Sequence, residues 1–162
     1  MLIYTCYFTQ TKIIKDMKKV FTLLVCLFAL QSFIYADNDK IIPVEQLPQQ
    51  AQQFIKKYFP KSEVTYAKTE NDLVEKSFEV VFSNGDKVEF SKNGEWKEVE
   101  CKNSSVPLAI VPLSIKDYVD RNYTNAKILK IEKDSKGYEI KISDNGIELK
   151  FDKKFNLVGI DH

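Results

Sequence analysis

Apolar residues recur at helical spacing in two segments of the chain, residues 41–59 and 105–123. In each segment they fall at positions i, i+4, i+7, i+8 and i+12, a spacing that predicts an amphipathic helix. The positions are Leu47, Ala51, Phe54, Ile55 and Phe59 in the first segment and Val111, Ile115, Tyr118, Val119 and Tyr123 in the second. Pro48 and Pro112 fit the first helical turn, where a missing N–H costs nothing.

After each predicted helix the hydrophobic period changes from 3.6 to 2, which predicts short half-buried strands. Asn84-Gly85 and Asn145-Gly146 predict hairpin turns in which both residues take positive φ. The next turn is Asn93-Gly94 in the first half of the chain but Lys154-Phe155 in the second. The predicted strands are residues 63–68, 78–82, 87–90 and 95–100, and then 126–133, 138–142, 147–151 and 156–160.

The matching order of elements predicts an internal duplication. The predicted fold is α+β, with two tandem repeats of one helix plus a four-stranded antiparallel sheet, residues 37–104 and 105–162. Units of about 60 residues are marginally stable alone. We therefore expect the two repeats to form one compact domain with their sheets joined or side by side.

The first 36 residues have the layout of a secretory signal peptide. Lys18 and Lys19 precede an apolar run over residues 20–30, and the small residue Ala36 precedes an acidic stretch. That run is about half of the roughly 20 residues that a transmembrane helix needs. We expect translation to begin at Met17 and cleavage to follow Ala36, which leaves a periplasmic or secreted protein with no stable membrane anchor.

Composition narrows the partners of the mature chain. Without residues 1–36 its net charge is about −2, with Lys and Glu interspersed and no basic block, so nucleic acid is not an expected partner. Cys101 is the single cysteine that remains, so no intramolecular disulfide can form. A cysteine of this kind is more often a small buried apolar residue than a reactive thiol.

The chain resembles the PepSY-like exported proteins of Gram-negative bacteria, whose fold is similar to that of the beta-lactamase inhibitor protein. The resemblance covers residues 43–162 and is carried by the Pro-led helix ending in KKYFPKSEV and by the hairpin FSNGDKVEFSKNGEW. It implies a helix packed on a curved antiparallel sheet in each repeat, and a periplasmic or extracellular location. Domains of the wider PepSY group occur in protease propeptides, and an inhibitory or protein-binding role is implied only at the level of the fold.

The sequence offers no set of residues for catalysis, cofactor binding or metal binding. His162 is the single histidine and lies at the chain end, which disfavours a catalytic triad. A metal site of Asp161, His162 and Cys101 would lack a visible fourth ligand. The strand carboxylates are expected to form a solvated face paired with lysines; they include Glu79, Glu89, Glu139 and Glu148. We therefore expect no enzyme and no cofactor.

A few aromatic and apolar residues are not assigned to the core by periodicity, namely Tyr58, Tyr66, Val81, Trp96 and Val99. Trp and Tyr dominate binding hot spots, so Trp96 and Tyr66 are the candidate contacts for a protein partner. Trp96 aligns with Leu157 of the second repeat, which favours packing over binding. The predicted function is a non-catalytic protein-binding or inhibitor-like module; the alternative is an envelope small-ligand binder or an enzyme using surface carboxylates. A contiguous exposed patch around Trp96 and Tyr66 would favour the first, and a closed apolar pocket with two carboxylates the second.

Overall fold

The computed structural model describes residues 39–71 and 76–161. The predicted leader and His162 lie outside the described residues. None of the helices in these ranges is long and apolar enough to cross a membrane. In chain order the elements are β1 (Lys40–Ile42), α1 (Gln49–Tyr58), β2 (Val64–Asn71), β3 (Lys76–Phe82), β4 (Lys87–Ser91), β5 (Trp96–Glu100), α2 (Leu113–Asn122), β6 (Ile128–Lys133), β7 (Gly137–Ile142), β8 (Glu148–Asp152) and β9 (Leu157–Asp161).

The nine strands found in the described residues form one antiparallel sheet in which spatial order follows chain order from β1 to β9. The predicted fold class, two repeats of one helix plus a four-stranded sheet, is therefore wrong: the described chain is mostly β, with two α-helices on a single sheet. Two features cause the difference. Residues 40–42 add an edge strand that periodicity could not detect in so short a segment. β5 and β6 pair directly, with Val99 opposite Ile131, so neither half of the sheet ends in an open edge there.

Both helices contribute to one hydrophobic core on the same face of the sheet. Ala51 and Ile55 of α1 and Ile115 and Val119 of α2 are buried, as their spacing along the helices predicts. Alternate residues of the strands complete the core, among them Phe82, Val88, Phe90, Val99, Ile131, Ile140, Ile142 and Leu149. The other residues of each strand point to the opposite side, which carries neither helix and is called the helix-free face below.

The hairpin turns confirm one turn prediction and correct another. Asn145 and Gly146 both take positive φ, as predicted, but Gly85 does so without Asn84. Gly94 also has positive φ, and a Cβ there would lie 2.7 Å from Pro48 Cβ, so the β4–β5 turn packs closely against the start of α1. Phe155 takes the same left-handed conformation in the β8–β9 turn, where a bulky residue is strained.

Candidate functional site

Trp96 and Tyr66, the two predicted contact residues, lie on opposite faces of the sheet. Trp96 pairs with the buried Phe90 and faces the helices. Tyr66 neighbours the buried Ala67 along β2 and therefore points to the helix-free face. The structure does not bring the two side chains into one patch.

Trp96 is a half-buried residue packed against the core. Its ring lies 6.3 Å from the Phe54 ring of α1, measured between centroids. The Lys133 ammonium sits 4.4 Å from the centroid of the same indole ring. Since Lys133 ends β6, this cation–π contact bridges the two strands at which the halves of the sheet join.

Tyr66 lies in a small apolar region of the helix-free face, which we call the apolar corner: Ile41, Tyr66 and Val81. Tyr66 is directly opposite Val81 on β3. Ile41 is opposite Lys68, so it is a diagonal neighbour of Tyr66 on the same face. Ile41 is 72% exposed and Tyr66 36% exposed. The corner is thus an accessible apolar region on a face that carries many charged side chains.

Five glutamates form a row across the helix-free face, each on a different strand and directly opposite the next. We call this set the glutamate row; its members are Glu79, Glu89, Glu98, Glu132 and Glu139. Lys68 is opposite Glu79 at one end, and Lys150 is opposite Glu139 at the other. Like charges directly opposite in a sheet are destabilising, so this row has a cost in stability.

Lysines offset part of that cost, but several of them are shared among carboxylates. Lys68 lies 2.8 Å from Asp39 and 2.7 Å from Glu70, measured from Nζ to the nearest carboxylate oxygen. Lys130 similarly contacts Glu98 at 3.0 Å and Glu132 at 3.2 Å. Among the described residues, the ion pairs of the sheet join six lysines, Lys68, Lys87, Lys97, Lys130, Lys141 and Lys150, to ten carboxylates, Asp39, Glu70, Glu79, Glu89, Glu98, Glu100, Glu132, Glu139, Glu148 and Asp161. This network of ion pairs is therefore net acidic.

The pKa values on this face reflect both burial and the neighbouring carboxylates. Hydrogen bonds to Asp39 and Glu70 raise the pKa of Lys68 far above its ordinary value. Burial lowers the pKa of Lys130, but its contacts with Glu98 and Glu132 outweigh burial and raise the pKa overall. Burial raises the pKa of Glu98 by more than the hydrogen bond from Lys130 lowers it. Glu98 is thus a carboxylate of the row whose negative charge is poorly solvated.

The sequence pointed to part of this row and missed the rest. Glu79, Glu89 and Glu139 were expected on a solvated face paired with lysines, and they lie there. Glu98 and Glu132 were not singled out, although their alternation with Val99 and Ile131 gives their direction. What could not be derived is the β5–β6 pairing that places Glu98 opposite Glu132 and makes the row continuous.

A groove lies on the second half of the sheet. It is open to solvent, and Gly137 forms part of its lining; a Cβ at this position would lie 1.9 Å from the Phe151 carbonyl oxygen. Val158, 66% exposed, is another of its lining residues. Its charged lining residues are Glu132, Asp134, Lys136, Glu139, Lys150 and Asp152. This open, mixed-charge groove differs from the closed apolar pocket that would favour an enzyme or small-ligand binder.

Cys101 is buried beside a polar cluster centred on Asp86. The side chain of Cys101 is 1% exposed, and burial raises the pKa of its thiol to about 11. Asp86, 2% exposed, accepts hydrogen bonds from the Lys102 N–H at 3.0 Å and the Ser104 hydroxyl at 2.8 Å. It also accepts one from the Asn84 amide at 2.7 Å. The cluster thus joins the β3–β4 turn to the segment that follows β5, which is a structural role.

Within residues 39–71 and 76–161, no group of three or more His, Cys, Asp or Glu side chains is arranged to hold a metal ion. Asp161 contacts Lys150, and Cys101 lies in the Asp86 cluster. His162, the third member of the metal site considered from the sequence, lies outside the described residues.

The described residues form a mostly β protein, a single antiparallel sheet with two helices on one face. Comparison with known proteins identifies its family. The family model described as "Putative beta-lactamase-inhibitor-like, PepSY-like" matches residues 76–159. The chain belongs to this PepSY-like family, as its sequence indicated. No curated protein matches the chain.

Three crystal structures are similar to this chain over nearly their whole length. A "putative calcium-regulated periplasmic protein" of Bacteroides thetaiotaomicron is 59% identical, with a TM-score of 0.76, and the match covers 78% of this chain and 99% of the other. A "putative periplasmic protein" of Bacteroides vulgatus is 57% identical, with a TM-score of 0.75 and coverage of 78% and 99%. A second "putative periplasmic protein" of B. vulgatus, of unknown function, is 37% identical, with a TM-score of 0.73 and coverage of 77% and 100%. These relatives confirm the predicted periplasmic location.

Proposed function

We propose that this periplasmic protein is a non-catalytic binding module that docks a protein partner on the helix-free face of its sheet. The observation that carries the proposal is the apolar corner, where Ile41, Tyr66 and Val81 lie together on a charged face. Protein interfaces are typically built from an apolar, aromatic-rich centre inside a polar rim. Tyr66 supplies the aromatic anchor and the lysine–carboxylate pairs around Lys68 supply the rim.

Trp96 has a different part in this proposal. Its ring packs on Phe54 and under Lys133, so its main contribution is to the stability of the helix-bearing side. In this proposal Tyr66 is the partner contact and Trp96 is a half-buried packing residue. The sequence hypothesis that both residues contact a partner is thereby divided into two separate tests.

The alternative function, an envelope enzyme or small-ligand binder, has one observation in its favour. Four carboxylates, Glu132, Asp134, Glu139 and Asp152, line the open groove. Asp134 accepts hydrogen bonds from the N–H groups of Lys136 and Gly137, and these lower its pKa, which suits a turn carboxylate better than a catalytic acid. Because the B. thetaiotaomicron relative is named as calcium-regulated, calcium belongs in the test as a separate ligand.

The test is capture of a partner from periplasmic extract by the exported protein and by three variants, Tyr66→Ala, Ile41→Ser and Trp96→Ala. We expect one partner to be recovered by the parent protein, lost by the Tyr66 and Ile41 variants, and retained by Trp96→Ala once the folded fraction is matched by circular dichroism. Recovery that is equal for parent and both corner variants would refute the proposed docking face. If calcium releases the partner, and the parent and Tyr66→Ala recover it equally, the alternative function is favoured.

A further inference from the structure

We infer that the partner of the helix-free face presents a basic α-helix, laid across the strands so that its Lys or Arg side chains meet the glutamate row. The inference rests on the proposed function, since it assumes that this face docks a protein, and it adds the chemistry and shape of the docking segment. Three properties of the row support it: its charge, its cost in stability, and its spacing.

The charge of the face selects a cationic occupant. The ion pairs among the described residues of the sheet leave ten carboxylates to share six lysines. At the centre of the row, Lys130 contacts both Glu98 and Glu132. Complementary charge across an interface steers encounter and excludes partners of the wrong sign. An acidic partner or an anionic lipid surface would be repelled.

The stability cost of the row argues that it is more than a solubilising surface. Glu79, Glu89, Glu98, Glu132 and Glu139 make four successive like-charge pairs directly across strands. Each pair would be more stable with Lys on one side, as Glu139 and Lys150 are in the next step of the same row. Each glutamate of the row already contacts a lysine, so a basic partner would offset only the repulsion that these contacts leave. Arrangements that lower stability are characteristic of binding surfaces.

The spacing of the row fits a helix better than an extended chain. Adjacent strands are about 4.8 Å apart, so five glutamates cover about 19 Å perpendicular to the strands. One side of an α-helix presents a side chain about every 5.4 Å, whereas one side of an extended chain does so about every 6.8 Å. Over four steps the mismatch is about 2 Å for the helix and about 8 Å for the extended chain. Lysines at i, i+4, i+7 and i+11 would therefore stay near the row along its length.

Apolar side chains of the partner's helix would contact the apolar residues at the two ends of the row. Lys68 and the apolar corner lie at the β1–β3 end, and the exposed Val158 lies beside the groove at the other end. A helix with basic residues on one side and an apolar residue at its end would cover Tyr66 as well as the glutamates. This geometry joins the proposed anchor and the charged row in one footprint.

The experiment measures binding of fluorescent peptides of about 16 residues to the protein purified from the periplasm. The first peptide is helical with Lys at i, i+4, i+7 and i+11. The second has the same composition with its lysines distributed around the helix, and the third has the lysines of the first with a central proline that breaks the helix. We expect the first peptide to bind tightest, with affinity that falls as salt is raised.

Variants of the protein test whether the first peptide binds at the glutamate row. The triple variant Glu89→Gln, Glu98→Gln, Glu132→Gln should bind the first peptide about tenfold more weakly, as the loss of three partly exposed charge pairs would give. Its control, Glu45→Gln, Glu63→Gln, Glu95→Gln, removes three exposed carboxylates that lie outside the strands and should bind like the parent. Equal weakening in both triples, or equal affinity for all three peptides, would overturn the inference.

The same variants separate this inference from the proposed function. If Tyr66→Ala loses the natural partner but the triple glutamate variant retains it, the proposed docking face is supported and the inference of a basic helix is wrong. If peptide binding depends on the row while no partner depends on Tyr66 or Ile41, the proposed function falls instead. Spermine and calcium chloride serve as small-cation probes. If either displaces the first peptide at an equal concentration of positive charge, the face recognises charge alone and the inference of a helical partner is wrong.

Discussion

The ammonium of Lys133 lies 4.4 Å from the centre of the Trp96 ring, across the join between β5 and β6. This contact comes from two residues whose strands belong to different halves of the chain. Phe54 of α1 packs on the same ring, so Trp96 contacts both the first helix and the second half of the sheet. The side chain therefore stabilises the join in the sheet.

Replacement of Trp96 by Ala should lower the free energy of unfolding by about 2 kcal/mol, because the ring is half-buried and its removal leaves Phe54 less well packed. Lys133→Met should cost about 0.5–1 kcal/mol, since it keeps the apolar stem and removes the cation–π contact. Urea unfolding followed by circular dichroism measures both. In a double-mutant cycle the two effects should be non-additive; simple additivity would show that the contact contributes nothing.

The elements were predictable from the sequence to a greater degree than their assembly. Period-2 alternation located the strands around Val80, Val88 and Ile140, because each of these residues alternates with a charged neighbour. The pairing of β5 with β6 depends on a contact between segments separated by a helix, Val99 with Ile131, and no local pattern encodes it. A three-residue edge strand such as Lys40–Ile42 is likewise too short for a periodic signal.

Gly94 and Gly85 provide a matched test of close packing in two turns. Their φ angles are nearly equal, at 84° and 85°, so alanine is strained equally at either position. At Gly94 the new Cβ would also lie 2.7 Å from Pro48 Cβ, whereas at Gly85 its nearest neighbour is Lys102 Cδ at 3.6 Å. We expect Gly85→Ala to cost about 1 kcal/mol and Gly94→Ala about 2–3 kcal/mol. Equal thermal unfolding midpoints would indicate that α1 can move away from the turn without loss.

The buried carboxylate of Asp86 should be among the most sensitive polar positions. Asp86→Ala would leave the Lys102 N–H, the Ser104 hydroxyl and the Asn84 amide without their acceptor, at a cost of about 2–4 kcal/mol. Asp134→Ala is the control: Asp134 accepts two hydrogen bonds, both from backbone N–H groups, of Lys136 and Gly137, but water can replace this exposed carboxylate. Denaturant unfolding compares the two, and a larger loss at Asp134 would contradict the burial argument.

The candidate site was only partly predictable, for a reason visible in Tyr66. Periodicity does not assign Tyr66 to the core, which makes it a candidate contact. Its neighbour Ile41 belongs to the short strand β1, which gives no periodic signal, so the sequence does not indicate Ile41. Trp96 was unassigned as well, and the β-bulge between Glu89 and Phe90 pairs it with Phe90 on the helix side. A one-residue irregularity reverses the side of the sheet on which a residue lies, so parity alone could not place it.

Glu98 links stability to pH because burial raises its pKa in the folded protein. The folded state then binds a proton more readily than the unfolded state, whose glutamate titrates near its ordinary pKa of 4.5. Stability therefore falls as pH rises from that value through the raised folded pKa, and the full penalty is present at neutral pH. The like-charged neighbours Glu89 and Glu132 act in the same direction.

Glu98→Gln should accordingly raise the free energy of unfolding at pH 7 by about 0.5 kcal/mol, because glutamine can still accept the hydrogen bond from Lys130 without the repelled charge. At a pH of about 3.5 the parent carboxyl is protonated in both states, so the gain should vanish. Unfolding curves in urea at that pH and at neutral pH measure the difference, with Glu95→Gln, at an exposed residue between β4 and β5, as the control. If Glu98→Gln is less stable than the parent at pH 7, the Lys130 ion pair outweighs the repulsion between the glutamates. The argument that the glutamate row lowers stability would then be wrong.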